Sequence, residues 1–240
     1  MTALPKTEKQ FPVKQIMPHL SQPLNGYRYS SDAVILATFA AQKPTSVWAD
    51  LGTGCGVLGV RILQSWPRSI GLAIEQSKVA HEHARKNLGT SSVTLVRGDL
   101  RSFPWKMGQL DLVVCNPPYY DHNAFRKSLD PGIREARHAL SGDIVDFAMV
   151  LKSALKPDGR FCFVFPVALV TPKLETLRSL GFYIQRRLEI RSFCDREAHC
   201  ACLELALRPA VQETEDLTLY ETPGFYRREA WEFLTMVRSG

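Results

Sequence analysis

The sequence predicts an α/β fold built on a mostly parallel sheet, with helices on both faces and an antiparallel end. Three observations carry that prediction. Short apolar runs at 47–51, 70–74, 93–96, 110–115 and 160–165 have strand length, and helical apolar spacing recurs between and after them to make five βα repeats. Two further β-like runs, 182–190 and 199–207, follow each other without an intervening helix, which predicts an antiparallel closing pair. A glycine-rich turn sits where the first strand becomes a helix, so ligand binding belongs at the carboxyl ends of the strands.

Taken in order, residues 1–25 carry Pro, Lys and Gln without periodicity and form an extended lead-in. Ser30, Ser31 and Asp32 open a helix over 33–41, and Pro44 ends that stretch. The first strand at 47–51 is followed by a helix at 56–66, a strand at 70–74 and a helix at 77–88. Strands at 93–96 and 110–115 come next. Apolar positions 144, 147, 148, 151, 154 and 155 predict a helix over 143–155, broken by Lys156, Pro157, Asp158 and Gly159. The strand at 160–165, a helix at 172–180 closed by Gly181, and the last two strands complete a domain spanning 26–210. The tail, 211–240, begins acidic and ends in an amphipathic stretch at 227–237 that is expected to pack on the domain as a helix.

With 240 residues and 45% hydrophobic content, the chain can bury the core of one α/β domain. Its net charge of +6 favours a polyanionic partner such as RNA. The six cysteines include no Cys-x-x-Cys pair and lie partly in strand-like runs, which is reduced-thiol usage. Cys200 and Cys202 share a strand face without ligands at metal spacing, so a core role and no metal are expected. The start has no apolar signal region and no run reaches membrane length, giving a cytoplasmic protein with no membrane partner as the expectation, and a monomer is assumed.

The motif richest in chemistry is Asn116-Pro117-Pro118-Tyr119, directly after a strand. A planar NH₂ is a poor nucleophile because its lone pair is delocalised, and acceptors that grip both N–H bonds turn that lone pair outward. The Asn116 side-chain oxygen and the Pro117 carbonyl can be those acceptors, and two prolines remove backbone donors that would otherwise need partners. Tyr119 offers a stacking face worth roughly 1–3 kcal/mol for a base. The plain alternative is a Pro-Pro turn that ends a strand.

Asp50-Leu51-Gly52-Thr53-Gly54-Cys55-Gly56 is the glycine turn, and Gly54 to Gly59 also satisfies the G-x-G-x-x-G pattern of dinucleotide sites. Asp50 argues against a pyrophosphate there, because an anion beside a carboxylate is repelled while a sulfonium or ammonium is attracted. Glu75 closes the second strand, where a carboxylate can accept both hydroxyls of a ribose. Asp99 follows the third strand and could accept from an adenine amine, with Leu100 covering the ring. Each acid taken singly could be a helix cap, but three at successive strand ends, with the Asn116 turn after the fourth, are hard to explain by capping.

These motifs, from about residue 28 to 208, resemble the class I S-adenosylmethionine-dependent methyltransferases. The resemblance implies a Rossmann-like seven-stranded sheet whose last strand is antiparallel, and S-adenosylmethionine as cofactor. Within that family the Asn-Pro-Pro-Tyr tetrapeptide marks methylation of exocyclic or amide nitrogens. The stretch 25–37 and Arg134-Glu135-Ala136-Arg137-His138 look like parts of the bacterial tRNA(Val) adenine-N(6) methyltransferase group. What this implies is an RNA substrate, most simply a tRNA, with an anticodon-loop adenine flipped onto Asn116, Pro117 and Tyr119, and no metal. Asp50, Gly52, Gly54, Glu75, Asp99 and Leu100 would take the cofactor. Pro118, Arg134, Arg137 and His138 would touch substrate, Arg126 and Lys127 lie in the same basic loop, and Arg186, Arg187 and Arg191 would extend a phosphate track.

Rival readings remain open on the sequence. A guanine amine or a release-factor glutamine would use the same turn, although release-factor enzymes usually place a larger helical domain ahead of the glycine loop. The Gly54–Gly59 pattern alone suits a nicotinamide-dependent oxidoreductase, and a non-catalytic RNA-binding module is the remaining class.

Overall fold

A computed structural model describes residues 11–12, 17, 19–23, 28–89, 92–117 and 144–237. Pro118, Tyr119, Arg126, Lys127, Arg134, Arg137 and His138, all singled out above, lie outside the described residues.

The chain runs β1 (Phe11–Pro12), α1 (Ser31–Ala40), β2 (Val47–Leu51), α2 (Val57–Ser65), β3 (Ile70–Glu75), α3 (Lys78–Leu88), β4 (Val93–Arg97) and β5 (Leu110–Cys115). After it come α4 (Ile144–Leu151), β6 (Leu155–Pro166), α5 (Val167–Val170), α6 (Leu174–Ser179), β7 (Tyr183–Arg191) and β8 (Cys200–Ala206). The chain closes with β9 (Glu213–Thr218), β10 (Tyr220–Thr222), β11 (Phe225–Tyr226) and α7 (Arg228–Thr235).

The main sheet has the order β4-β3-β2-β5-β6-β8-β7-β9. Strands β4, β3, β2, β5 and β6 pair in parallel, and β8 inserts between β6 and β7 antiparallel to both. The chain order therefore reverses between β2 and β5. That junction is a topological switch point, where the flanking connections part and leave a crevice above the carboxyl ends.

Two differences from the sequence expectation have physical causes. The sheet holds eight strands rather than seven, because β9 pairs in parallel with β7 along Arg186↔Glu213 to Arg191↔Thr218. Glu213-Thr214-Glu215-Asp216-Leu217-Thr218 has no apolar alternation, since four of its six residues are exposed on the sheet edge and only backbone pairing marks it as a strand. The helix expected over 143–155 ends at Leu151, and β6 starts at Leu155. There the 156–159 breaker is a bulge inside β6, the register stepping from Leu110↔Leu155 to Leu112↔Arg160. The lead-in orders on the domain at one described point, where Phe11 pairs with Tyr226 of β11 and stacks on Trp231 at 5.5 Å between ring centroids.

Two apolar layers sandwich the sheet, one under α1, α2 and α7 and the other under α4 and α6. Helix α1 is buried from Ala33 to Ala40 because it is wedged between the sheet, α2 and α7, which accounts for its nearly uniform apolar composition. Arg160, early in β6, donates to the carbonyl of Ala40 at 3.2 Å, so the carboxyl end of α1 lies by the strands' amino ends. Its amino end, with Ser31 and Asp32, consequently points to the carboxyl edge where the crevice opens.

Candidate active site

Asp50 is the penultimate residue of β2 and only 1% exposed. Its Oδ2 accepts from Thr53 Oγ1 at 2.5 Å, whereas Oδ1 has no hydrogen-bond partner among the described residues. Gly52, Gly54 and Gly56 all hold positive φ, 66°, 58° and 87°, and swing the chain from β2 into α2. At Gly56 a Cβ would come within 2.8 Å of Leu88 Cδ1, so the turn is pressed onto α3, while at Gly54 nothing lies within 4 Å of that position. The loop thus has a packed side and an open side.

Glu75 ends β3, 5% exposed. Its Oε2 accepts from the Gly54 amide and its Oε1 from the Ser77 amide, each at 2.8 Å, so one carboxylate ties the glycine loop to the start of α3. Burial lifts the carboxyls of both acids. For Asp50 burial is the main cause, opposed by the Thr53 bond and, more weakly, by the backbone of Gly59, and reinforced by the charge of Glu75, and its pKa is pushed up to about 7. For Glu75 burial raises the value against the amides of Ser77 and Gly54. Among the described residues no cation is named as offsetting either acid, and burying a carboxylate without a counter-charge is costly.

Asp99 follows β4 and caps the 3-10 turn Leu100–Ser102. Its carboxylate is gripped by Arg101, Nε to Oδ1 at 2.9 Å and Nη2 to Oδ2 at 2.6 Å, and that bond holds its pKa down. A nucleobase amine would have to share this carboxylate with the guanidinium. Leu100 is 4% exposed and packs into the layer under α4.

The turn after β5 begins next door. Leu51 pairs with Cys115, which sets Asn116 beside Gly52 on neighbouring strands about 4.8 Å apart. Asn116 is half-buried and Pro117 buried. Read across the sheet, Asp99, Glu75, Asp50 and Asn116 mark the ends of four adjacent strands, β4, β3, β2 and β5, with the last two flanking the switch point.

Other residues reach this edge without any sequence signal. Asn87 of α3 donates to Ser21 O at 2.8 Å and Cys55 O at 2.7 Å, and its Oδ1 accepts from Ser21 N at 2.9 Å, fastening the lead-in to the glycine loop. Asp32, His199 and Cys200 bring one donor atom each within 4.8 Å of one another. Burial, then the charge of Asp32, pushes the Cys200 thiol up to about 12. Asp32 is half-buried, His199 exposed and Cys200 buried.

The basic residues expected to extend a phosphate track have other partners. Arg186 is 5% exposed, donates to Glu204 Oε2 at 2.9 Å and lies 4.1 Å from the Phe39 ring centroid. Glu204 is fully buried mid-strand in β8 and also meets Lys43 at 2.5 Å and Arg160 at 3.3 Å. Arg187 pairs with Glu189, and Arg191 with Asp216. Arg186 is therefore core structure, and the other two are ion-paired.

Comparison with known proteins agrees with the geometry. The family model of the methyltransferase small domain matches residues 30–174, more than half of the chain, and the chain belongs to that family. Among its relatives is the tRNA1(Val) (adenine(37)-N6)-methyltransferase of Tolumonas auensis, 28% identical over 219 residues, covering 88% of this chain and 90% of the relative. The protein of the same name from Aliivibrio fischeri is 26% identical, covering 90% and 92%. The fold is shared with a predicted O-methyltransferase from Agrobacterium tumefaciens, with a TM-score of 0.60, 15% identity and coverage of 87% and 98%. A precorrin-6y C5,15-methyltransferase from Geobacter metallireducens gives a TM-score of 0.58 at 13% identity, covering 83% and 100%. Among the described residues no helix is long and apolar enough to cross a membrane.

Proposed function

We propose that this protein is an S-adenosylmethionine-dependent N-methyltransferase that modifies the exocyclic amine of an adenine in tRNA. The observation that carries the proposal is the adjacency, across the β2/β5 switch point, of a buried carboxylate with an unpartnered oxygen and the Asn116-Pro117 turn. When bound, S-adenosylmethionine supplies an electrophilic methyl group on a sulfonium.

Asp50, Gly52, Gly54 and Glu75 suit that ligand on the donor chemistry alone. The unpartnered Asp50 Oδ1 matches a cation, the open side of Gly54 admits close approach, and Glu75 keeps acceptor capacity beyond its two amide bonds for a ribose diol. Asp99 and Leu100 would border the adenine of the cofactor.

On the acceptor side, Asn116 Oδ1 and the Pro117 carbonyl take the two N–H bonds of the target amine and turn its lone pair out of ring conjugation. The same oxygens stabilise the positive charge that develops on that nitrogen as its new bond forms. The surplus proton leaves to water. Tyr119 stacks the flipped base, Pro118 borders it, and Arg134, Arg137 and His138 meet the RNA backbone.

The names of the relatives favour adenine in tRNA over guanine or glutamine. Purified protein given labelled methyl donor and total RNA is expected to yield N(6)-methyladenosine in the tRNA fraction. Label in guanine, or only in protein, overturns the substrate assignment.

A further inference from the structure

We infer that the α3–β4 edge of the sheet is a phosphate-binding surface for the substrate RNA, formed by Lys78, His81, Arg85 and Arg97. The inference rests on the tRNA reading above and deepens it. The contrast in charge pairing is the first observation. Arg160, Arg186, Arg187, Arg191, Arg208, Arg227 and Arg228 all pair with acids, whereas Lys78, Arg85, Lys86 and Arg97 form no ion pair with a described acid; Arg28, Arg68, Lys106, Lys152 and Arg178 share that lack elsewhere in the fold, and what sets the four apart is that they lie together on one helix and the strand that follows it. All four are exposed.

Geometry is the second. Lys78 and Arg85 stand seven residues apart on one helix face, with His81 between them, a rise of about 10 Å. That span is longer than the spacing of neighbouring phosphates on one RNA strand, so the face can meet more than one of them. Arg97, the last residue of β4, stands opposite Glu75 in the backbone register of β3 and β4, so it lies at the carboxyl edge next to the start of α3. The charges of Arg97 and Arg85 both reach His81 and, after burial, lower its pKa, with Glu82 alone opposing them. Lys78 sits in the first turn of α3, where the helix dipole disfavours a cation, so helix stability is no reason for it to be there.

Position then defines what the surface contacts. Strand β4 lies three strands from β5, about 14 Å at ~4.8 Å per step, so these cations flank the cofactor side and lie too far away to hold the flipped nucleotide. They suit the backbone of a neighbouring arm. A full tRNA should feel them and a short loop fragment should not.

The test compares K78Q/R85Q/R97Q with R227Q/R228Q as a control, measuring total-tRNA affinity between about 50 and 200 mM salt. Three lost contacts at ~0.7 each should flatten the slope of log K against log salt by about 2, with S-adenosylhomocysteine affinity and thermal stability unchanged. On tRNA the variant should raise KM and keep kcat, while turnover of a loop fragment stays as in the wild type. An unchanged slope, or an equal change in the control, overturns the surface while leaving the tRNA reading intact. Failure of the wild type to bind or methylate tRNA refutes that reading, and the surface with it. Loss of binding to anionic lipid vesicles with tRNA binding retained would also overturn it.

Discussion

Replacing Asp50 by Asn should stabilise the ligand-free protein and weaken cofactor binding at the same time. In the folded chain the carboxyl is buried and titrates at about 7, against an ordinary 3.8. That difference corresponds to about 4 kcal/mol once the group is ionised in both states. Because the folded value is raised, its contribution to stability is complete below pH ~4 and is lost as pH climbs through about 7. Between about pH 5 and 7 the wild type should therefore lose ~1.4 kcal/mol per pH unit relative to Asp50→Asn. The asparagine oxygen can keep the Thr53 bond, so a net gain of about 3 kcal/mol at pH 8 is expected, or about 6–12 °C in Tm for a chain of this size. Affinity for S-adenosylhomocysteine, whose ammonium keeps the attraction, should fall by about 1.5–3 kcal/mol. Denaturant unfolding from pH 5 to 8, with titration of that ligand, measures both. Parallel stability curves for the two proteins, or a destabilised variant, would refute the idea that Asp50 is held ready for a cation.

Other outcomes follow from the same geometry. Glu75→Ala removes the tie between Gly54 and Ser77 together with the ribose acceptor, and should cost about 1.5–3 kcal/mol of cofactor affinity, read by calorimetry; unchanged affinity would take Glu75 out of the site. Glu204→Gln leaves Arg160 and Arg186 buried beside a neutral group, so unfolding should come about 3–5 kcal/mol sooner, and a loss below ~1 kcal/mol would show that the cluster is solvated. The carboxyl of Glu204 is held below its usual value: burial, which would raise it, is outweighed by Arg186, Lys43 and Arg160. Its contribution is thus present at neutral pH and should fade in acid, below about 4.5, as a steepening of acid unfolding that the Gln variant lacks.

Much of the architecture could be read from residue order. Strands β2, β3, β5 and β6 are apolar on both faces because helices cover both, and such runs announce themselves. Asp50, Glu75 and Asn116 stood out because a polar residue directly at the end of such a run has nowhere to go except the carboxyl edge. What escaped notice depends on partners distant in sequence. Arg186 looks like a surface cation until Glu204, in the middle of an otherwise apolar strand, turns out to be its buried counter-charge. The eighth strand is held by backbone pairing to β7, and its charged side chains follow no alternation. The Asn87 clamp on Ser21 joins residues 66 positions apart, and no local pattern encodes it. Asp99 is the intermediate case, since Arg101 two residues on already hinted at the pair that occupies its carboxylate.

The most direct measurement is single-turnover methylation of unmodified tRNA by the wild type and by Asn116→Ala, alongside cofactor affinity for both. The account predicts N(6)-methyladenosine from the wild type, and from the variant a rate lower by a factor of a hundred or more, on the order of the loss when one charge-stabilising hydrogen-bonding group is removed, with cofactor affinity unchanged. Equal rates from the two proteins would contradict it.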